Sequence, residues 1–187
     1  MLNRENKKLA NCLLLVVLLF VEVRAYSQRD RNAKVAHLYS CLKEYDIKCP
    51  KTVLAIAIYE TGWMECASCT YENNNLFGFR TTGDYFKFNS IYDCLAYFKK
   101  WQTAYYDPWK AKYPKGTYYD YLVHIKYAHI NMDAYIKNIK AIEKLINKNV
   151  KELDAIMLAE QQLTKECNMA PRERFFCMKD AGRIQKK

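Results

Sequence analysis

The chain has 187 residues, which is enough for one well-buried domain and hardly enough for two. Its apolar fraction of 51% and charged fraction of 27% are those of a globular protein and exclude a chain that is disordered throughout. The formal net charge of +10 is compatible with a nucleic acid, an anionic lipid or an anionic wall polymer as partner. The 16 tyrosines suit either a surface that grips polar ligands with flat faces or a tyrosine-rich core.

The first 25 residues have the pattern of an export signal. A basic start precedes a short apolar run from Leu13 to Val21, and Val23, Arg24 and Ala25 place a small residue before the expected cleavage point. The run is too short to span a bilayer, so we expect no stable membrane span after signal removal. We therefore expect an exported protein, periplasmic or secreted to the cell wall, and an anionic wall polymer becomes the favoured partner.

A glutamate ends the apolar stripe of the helix that Pro50 begins. Glu60 follows Val53 and Ile56 at helical spacing, so the three side chains share one face, and Gly62 ends the helix. Burial against apolar neighbours disfavours the charged form of a carboxyl group. Such a glutamate would keep its proton near neutral pH, as a general acid requires. On this pattern alone, a helix-terminal glutamate that faces water is the favoured interpretation.

Three motifs in chain order carry a family resemblance: ETGW at residues 60–63, NNLFG at residues 74–78, and Tyr127-Ala128 followed by Tyr135. Together they resemble the signature of the endo-β-N-acetylglucosaminidases of glycoside hydrolase family 73, the mannosyl-glycoprotein endo-β-N-acetylglucosaminidase-like domain. The preceding LAIAIYE resembles the family's catalytic helix. The resemblance implies an all-α, mainly helical, lysozyme-like fold with a short β-hairpin or loop near the cleft.

The resemblance also implies roles for individual residues. Glu60 would protonate the leaving glycosidic oxygen, and Tyr127 would support the reacting sugar by hydrogen bonding through its hydroxyl. The candidate substrate-binding residues are Trp63, Asn74, Asn75, Phe77, Gly78, Tyr135 and Trp109. Some of the NNLFG residues serve only the fold in an alternative interpretation. Trp109 either stacks on a sugar ring or fills the core.

The family's second carboxylate has no clear counterpart in this chain. Many members carry it on a longer lobe after the NNLFG motif, whereas here only ten residues separate Gly78 from Asn89. Asp84 is the nearest candidate, and a turn aspartate beside Gly83 is an equal interpretation. A glycosidase normally needs a base or nucleophile besides its acid. Three candidates remain: Asp84, the substrate's own 2-acetamido group, or an internal sugar hydroxyl as in lytic transglycosylases.

Further helices are predicted beyond this region. Ser90 with Asp93, and Thr117 with Asp120, form two capping boxes that each open a helix. Two last helices are predicted on either side of a break at Asn149. The expected organisation is a signal peptide over residues 1–25, a glucosaminidase-like domain over 33–147, and a C-terminal helix with a basic tail over 148–187.

Seven cysteines follow the export signal, and this odd count leaves at least one outside any disulfide within the chain. Exported chains meet oxidising conditions, so some of the seven should pair. For Cys66 and Cys69 we favour a local disulfide. A zinc half-site is second because no second C-x-x-C or HxxxH accompanies them, and a redox pair is last because the loop lacks a strand-to-helix context. A disulfide between Cys167 and Cys177 is another possible pairing. We expect no metal and no cofactor.

The leading hypothesis is a glycoside hydrolase that cleaves peptidoglycan glycan strands after N-acetylglucosamine, with Glu60 as the general acid. One alternative is a lytic transglycosylase acting on the same substrate. Another is a non-catalytic glycan-binding or assembly module, which the short segment in place of the family's longer lobe would suit. A nucleic-acid partner is not expected, since the chain has the charge but neither a recognised motif nor an intracellular location.

Overall fold

The computed structural model describes residues 27–66, 70–128 and 131–167. Within those residues six α-helices follow one another, joined by short irregular segments. They are α1 (residues 27–44), α2 (Pro50–Glu60), α3 (Ile91–Trp101), α4 (Asp107–Lys112), α5 (Tyr118–His124) and α6 (Met132–Cys167).

The described part of the chain contains no β-strand beyond an isolated antiparallel bridge between Arg80 and Tyr85. A single 3₁₀ turn, Thr70–Asn73, precedes that segment, and a π-helical turn, Gln102–Tyr106, joins α3 to α4. The predicted all-α class is confirmed. The hairpin or loop expected after the NNLFG motif is a loop closed by one bridge.

The centre of the fold is α2, against which α6 packs. All seven residues from Thr52 to Ile58 are buried, so this helix is enclosed on every side and not on one stripe alone. Burial is incomplete at both ends of the helix, since Pro50 and Lys51 are half-buried, Tyr59 is exposed and Glu60 is half-buried. A Schellman motif ends the helix, with Gly62 at a φ of +53°. The sequence prediction that Gly62 terminates this helix is confirmed.

The last helix is longer than the sequence predicts. α6 continues through Asn149, so the predicted break there is wrong. Asn149 is exposed and costs only its modest helix propensity, whereas Ile146 and Leu153 are both buried on either side of it. Asn32 of α1 also donates to Glu152 at 2.9 Å. The boundary expected after residue 147 therefore falls inside one helix.

Both predicted N-terminal caps are present, and the cap at Thr117 is a full capping box. The Ser90 side chain accepts from the Asp93 N–H at 3.2 Å and opens α3. The Thr117 side chain accepts from the Asp120 N–H at 3.2 Å, and the Asp120 carboxylate accepts from the Thr117 N–H at 2.7 Å. These reciprocal bonds satisfy N–H groups that have no partner inside the helix.

Several predictions concern residues outside the described ranges. The export signal and the basic tail lie there, and the pairs Cys66–Cys69 and Cys167–Cys177 each include such a residue. In the described part of the chain, Cys49 and Cys94 form no disulfide. Although α6 is 36 residues long, none of the described helices is both long and apolar enough to cross a membrane.

Candidate active-site cleft

A cleft of about 710 Å³ opens at the C-terminal end of α2. Its walls come from the last turn of α2, the NNLFG motif and the loop after it, the end of α3 with the π-helical turn, α5 with the segment after it, and the first turn of α6. Residues that are far apart in the sequence therefore meet in one place. The lining includes five of the predicted site residues, namely Glu60, Phe77, Gly78, Tyr127 and Tyr135.

The carboxyl group of Glu60 combines partial burial with few hydrogen-bond donors. The Tyr135 hydroxyl donates to Glu60 Oε1 at 2.9 Å. Burial raises the pKa of Glu60 above its ordinary value of 4.5, and the Tyr135 hydrogen bond and the charge of Arg80 offset only part of that rise. The group therefore keeps its proton to a higher pH than a solvated glutamate, which suits a general acid.

Gly78 brings the backbone against that carboxyl group. Its φ is +67°, in the left-handed region that glycine adopts without steric cost. A Cβ at this position would lie 3.0 Å from Glu60 Oε2, closer than ordinary van der Waals contact. Glycine at position 78 therefore suits both the backbone conformation and the close approach of Glu60.

The two asparagines of the NNLFG motif hold the loop together and do not line the cleft. The side chain of Asn75 is fully buried and donates to the carbonyls of Phe79 and Phe86 at 2.8 and 3.1 Å. It also accepts from the Phe79 N–H at 3.0 Å. Asn74 donates to the Phe88 carbonyl at 2.9 Å. These bonds supplement the antiparallel bridge that pairs the backbone of this loop.

A second Schellman motif, at the end of α5, delivers Tyr127 to the cleft. The Tyr127 N–H donates to the Leu122 carbonyl at 3.0 Å, and the Lys126 N–H donates to the Val123 carbonyl at 3.1 Å. Lys126 has a φ of +51° at the position where such motifs usually have glycine. The motif turns the chain sharply, so that residues 126 and 127 both line the cleft.

The Tyr127 hydroxyl donates to the Phe77 carbonyl at 2.8 Å. Burial, together with the charge of Glu60, raises the pKa of Tyr127 well above its ordinary 10.0, so the hydroxyl remains a proton donor. Because Phe77 directly precedes Gly78, this bond fixes the loop that contacts Glu60. The predicted hydrogen bond from Tyr127 to a sugar would need the same hydroxyl, which already donates to the Phe77 carbonyl.

Three further predicted residues lie away from the cleft. Trp63 packs near α1, where the Arg31 guanidinium lies 5.7 Å from its ring. Trp109 is only 9% exposed and borders a separate groove. Asp84 is exposed, and its backbone N–H and carbonyl are bonded to the Thr81 side chain in a turn. Among the described residues that line the cleft, Glu60 is therefore the single carboxylate.

Sequence reasoning missed several residues that line the cleft, among them two cations, Arg80 and Lys126. Lys126 directly precedes the predicted Tyr127, and this adjacency is the one signal that could have identified it. Tyr121 also lines the cleft, and its buried hydroxyl has no hydrogen-bond partner among the described residues. No group of three or more His, Cys, Asp or Glu in that part of the chain is placed to hold a metal ion.

Comparison of the chain with models of protein families, with curated proteins and with solved structures finds no match. The functional assignment therefore depends on the residues and geometry of this cleft.

Proposed function

We propose that the protein is an endo-β-N-acetylglucosaminidase that cleaves the peptidoglycan glycan strand of the bacterial cell wall, with Glu60 as general acid. The observation that supports this proposal is the position of Glu60 in a cleft that includes residues of all three motifs. Glu60 is half-buried there, and its burial raises its pKa. An exported enzyme, periplasmic or wall-associated, would meet this substrate.

In the first chemical step Glu60 donates its proton to the glycosidic oxygen while the bond from that oxygen to the sugar's C1 breaks. The carboxylate left on Glu60 then keeps the hydrogen bond from the Tyr135 hydroxyl, which lies 2.9 Å from Oε1 in the free protein. Arg80 stabilises the same charge electrostatically. Both interactions favour the ionised product of proton transfer over the protonated starting state.

The group that attacks C1 is supplied by the substrate in this proposal. Among the described cleft residues no second carboxylate is available, which favours attack by the oxygen of the sugar's own 2-acetamido group. Water then displaces that oxygen from C1 and gives its proton to the Glu60 carboxylate, which restores the acid. The product is a strand with N-acetylglucosamine at its reducing end.

A second candidate function, that of a lytic transglycosylase, is favoured by the same single carboxylate. The proton transfer from Glu60 is unchanged, but the substrate's C6 hydroxyl attacks C1 and returns its proton to Glu60. No water is consumed, and the product ends in 1,6-anhydro-N-acetylmuramic acid.

Aromatic side chains support binding of a sugar strand in either case. Tyr59, Trp101 and Tyr105 line the cleft, and the exposed fractions of Tyr59 and Tyr105 are 41% and 59%. Flat apolar faces with polar tips can stack on sugar rings while their hydroxyls remain in water. The π-helical turn Gln102–Tyr106 displaces the helix register just where Trp101 and Tyr105 reach the cleft.

The test is mass spectrometry of muropeptides released from purified wall by the purified protein, with the Glu60→Gln variant as control. Reducing-end N-acetylglucosamine supports the glucosaminidase proposal. Anhydro-N-acetylmuramic acid supports the transglycosylase instead. Intact wall that nevertheless retains bound protein would contradict both and indicate a non-catalytic glycan-binding module.

A further inference from the structure

We propose that Arg80 and Lys126 form a carboxylate-binding edge of the cleft, which selects glycan strands that carry carboxylate groups over neutral strands. This inference rests on the function proposed above, because it names a substrate preference of the same cleft.

Arg80 is held ready to bind an anion. Its guanidinium carbon lies 4.0 Å from the centre of the Tyr85 ring, and the guanidinium also donates to the Tyr85 hydroxyl. The backbones of the two residues form the antiparallel bridge of this loop. Stacking fixes the plane of the guanidinium and leaves other N–H donors of its fork for a ligand. Arginine in this setting suits a carboxylate, which accepts two parallel hydrogen bonds.

Lys126 occupies a position whose left-handed backbone conformation favours glycine. At a φ of +51°, in the Schellman position, glycine would be less strained than lysine. A strained residue at the wall of a cleft is a reason to look for a function of its side chain. The side chain here is a cation on the same cleft as Arg80.

The charges of the cleft favour an anionic ligand. Arg80, Lys126 and Glu60 are the charged residues among its described lining, so the two cations have only one carboxyl group beside them. Burial raises the pKa of that carboxyl, so burial disfavours its negative charge. In the described part of the chain, no ion pair involves Arg80 or Lys126.

Peptidoglycan offers carboxylates from two sources. N-acetylglucosamine is neutral, whereas N-acetylmuramic acid has a lactyl carboxyl group that is free in peptide-free strands. In intact strands that group is joined to a stem peptide, which has carboxylates of its own. The shared chemistry is a carboxylate displaced from the sugar ring, and separate ligands distinguish the two sources.

The experiment measures binding in the Glu60→Gln background, so that no ligand is cleaved. The three ligands are neutral N-acetylglucosamine oligomers, peptide-free glycan strands and intact strands with stem peptides. We expect Arg80→Gln and Lys126→Gly each to raise the Kd for carboxylated strands about tenfold, because each removes a charged hydrogen bond. The Kd for neutral oligomers should not change, and Lys115→Gln, an exposed lysine elsewhere, should affect no ligand.

Lys126→Gly excludes misfolding as an explanation, because glycine relieves the left-handed backbone and should leave Tm unchanged or raise it. Weaker binding of peptide-free strands assigns the lactyl carboxylate as ligand, and weaker binding of intact strands alone assigns the stem peptide. An equal loss on neutral oligomers, no loss on any ligand, or no binding by the parent overturns the inference. Carboxylate selectivity without any cleavage by the wild-type protein would refute the hydrolase proposal alone.

Discussion

The cleft at Glu60 and a groove of about 510 Å³ beside Trp109 are both lined by aromatic rings and one carboxylate, but the environments of the two carboxylates differ. Aromatic rings line both, and the groove includes Trp109, Tyr113 and His124 together with one carboxylate, Asp120. Both regions therefore offer flat surfaces and one acid. The environment of the acid decides what each region can do chemically.

Asp120 is exposed and accepts two hydrogen bonds of 2.7 Å, from the Thr117 N–H and from its hydroxyl. These bonds, the backbone one above all, lower the pKa of Asp120. Glu60 is half-buried, accepts one bond from Tyr135, and has its pKa raised by burial. Donors without burial keep a carboxylate ionised, whereas burial with few donors keeps its proton available. Only the second arrangement suits a general acid.

The largest expected effect is the difference in cleavage rate between substitution of Glu60 and substitution of Asp120. We expect Glu60→Gln to lower the rate of wall cleavage about a thousandfold or more, because no other acid in the described cleft can protonate the leaving oxygen. Asp120→Asn should lower Tm by weakening the cap of α5 but leave the rate of the folded protein unchanged. Rates of both purified variants on the same wall preparation test this. Cleavage by Glu60→Gln within tenfold of the parent would refute its role.

Stability measurements show whether the Glu60→Gln variant is folded and test the environment of the acid independently. A folded-state pKa above 4.5 means that the folded protein binds the Glu60 proton more tightly than the unfolded chain does. The stability from that proton is complete below pH 4.5 and is lost as the pH rises through the raised pKa. Relative to the parent, Glu60→Gln should therefore gain stability with rising pH. A difference that is independent of pH would contradict this.

The next largest effect concerns the close approach of the loop to Glu60. In Gly78→Ala, the new Cβ would lie 3.0 Å from Glu60 Oε2, on a backbone with a φ of +67°. We expect a loss of about 1–3 kcal/mol in stability from the backbone strain. Displacement of the acid should lower kcat about a hundredfold. Gly83→Ala is the matched control, because its Cβ would meet nothing within 4 Å. Equal behaviour of the two variants would mean that the contact at Gly78 has no functional role.

A smaller effect is expected from removing the Tyr135 hydroxyl, which donates a hydrogen bond to Glu60. Tyr135→Phe removes a hydrogen bond that favours the ionised carboxylate, so the pKa of Glu60 should rise further. The alkaline limb of the pH–rate profile should therefore move to higher pH, while the maximal rate falls about tenfold from lost orientation. A rate loss with an unmoved limb would indicate that Tyr135 contributes only packing.

Features set by local geometry could be predicted from the sequence. Gly62 ends α2, and Ser90 and Thr117 cap their helices, because each of these signals acts on backbone groups within a few residues. Glu60 could be identified because it follows apolar residues at helical spacing and begins the ETGW motif. The break at Asn149 was a local signal too, but burial of the residues around it decided the outcome.

The other cleft residues are positioned by contacts that spacing does not reveal, and only the resemblance supplied Phe77, Gly78, Tyr127 and Tyr135 as candidates. Arg80 reaches the cleft through its bridge to Tyr85 and through the loop that Asn75 holds together. The bond from Tyr127 to the Phe77 carbonyl joins residues 50 positions apart. No periodicity or spacing encodes such pairs. The resemblance brought Tyr127 into the candidate set, but the partner of its hydroxyl is visible only in the structure.

The smallest effect is expected at Asp84, the candidate for the second carboxylate. It lies in an exposed turn with both backbone groups bonded to Thr81, and it does not line the cleft that contains Glu60. A nucleophile must be held close to the anomeric carbon, and nothing described in this turn holds the Asp84 side chain toward Glu60. With the substrate's own 2-acetamido group as nucleophile, Asp84→Asn should lower kcat by about threefold or less.

Kinetics of the purified Asp84→Asn variant test this expectation. A loss as deep as that of Glu60→Gln would assign Asp84 as the catalytic partner. It would also mean that the turn moves toward the cleft when substrate binds, and the two-carboxylate mechanism would replace the substrate-assisted one.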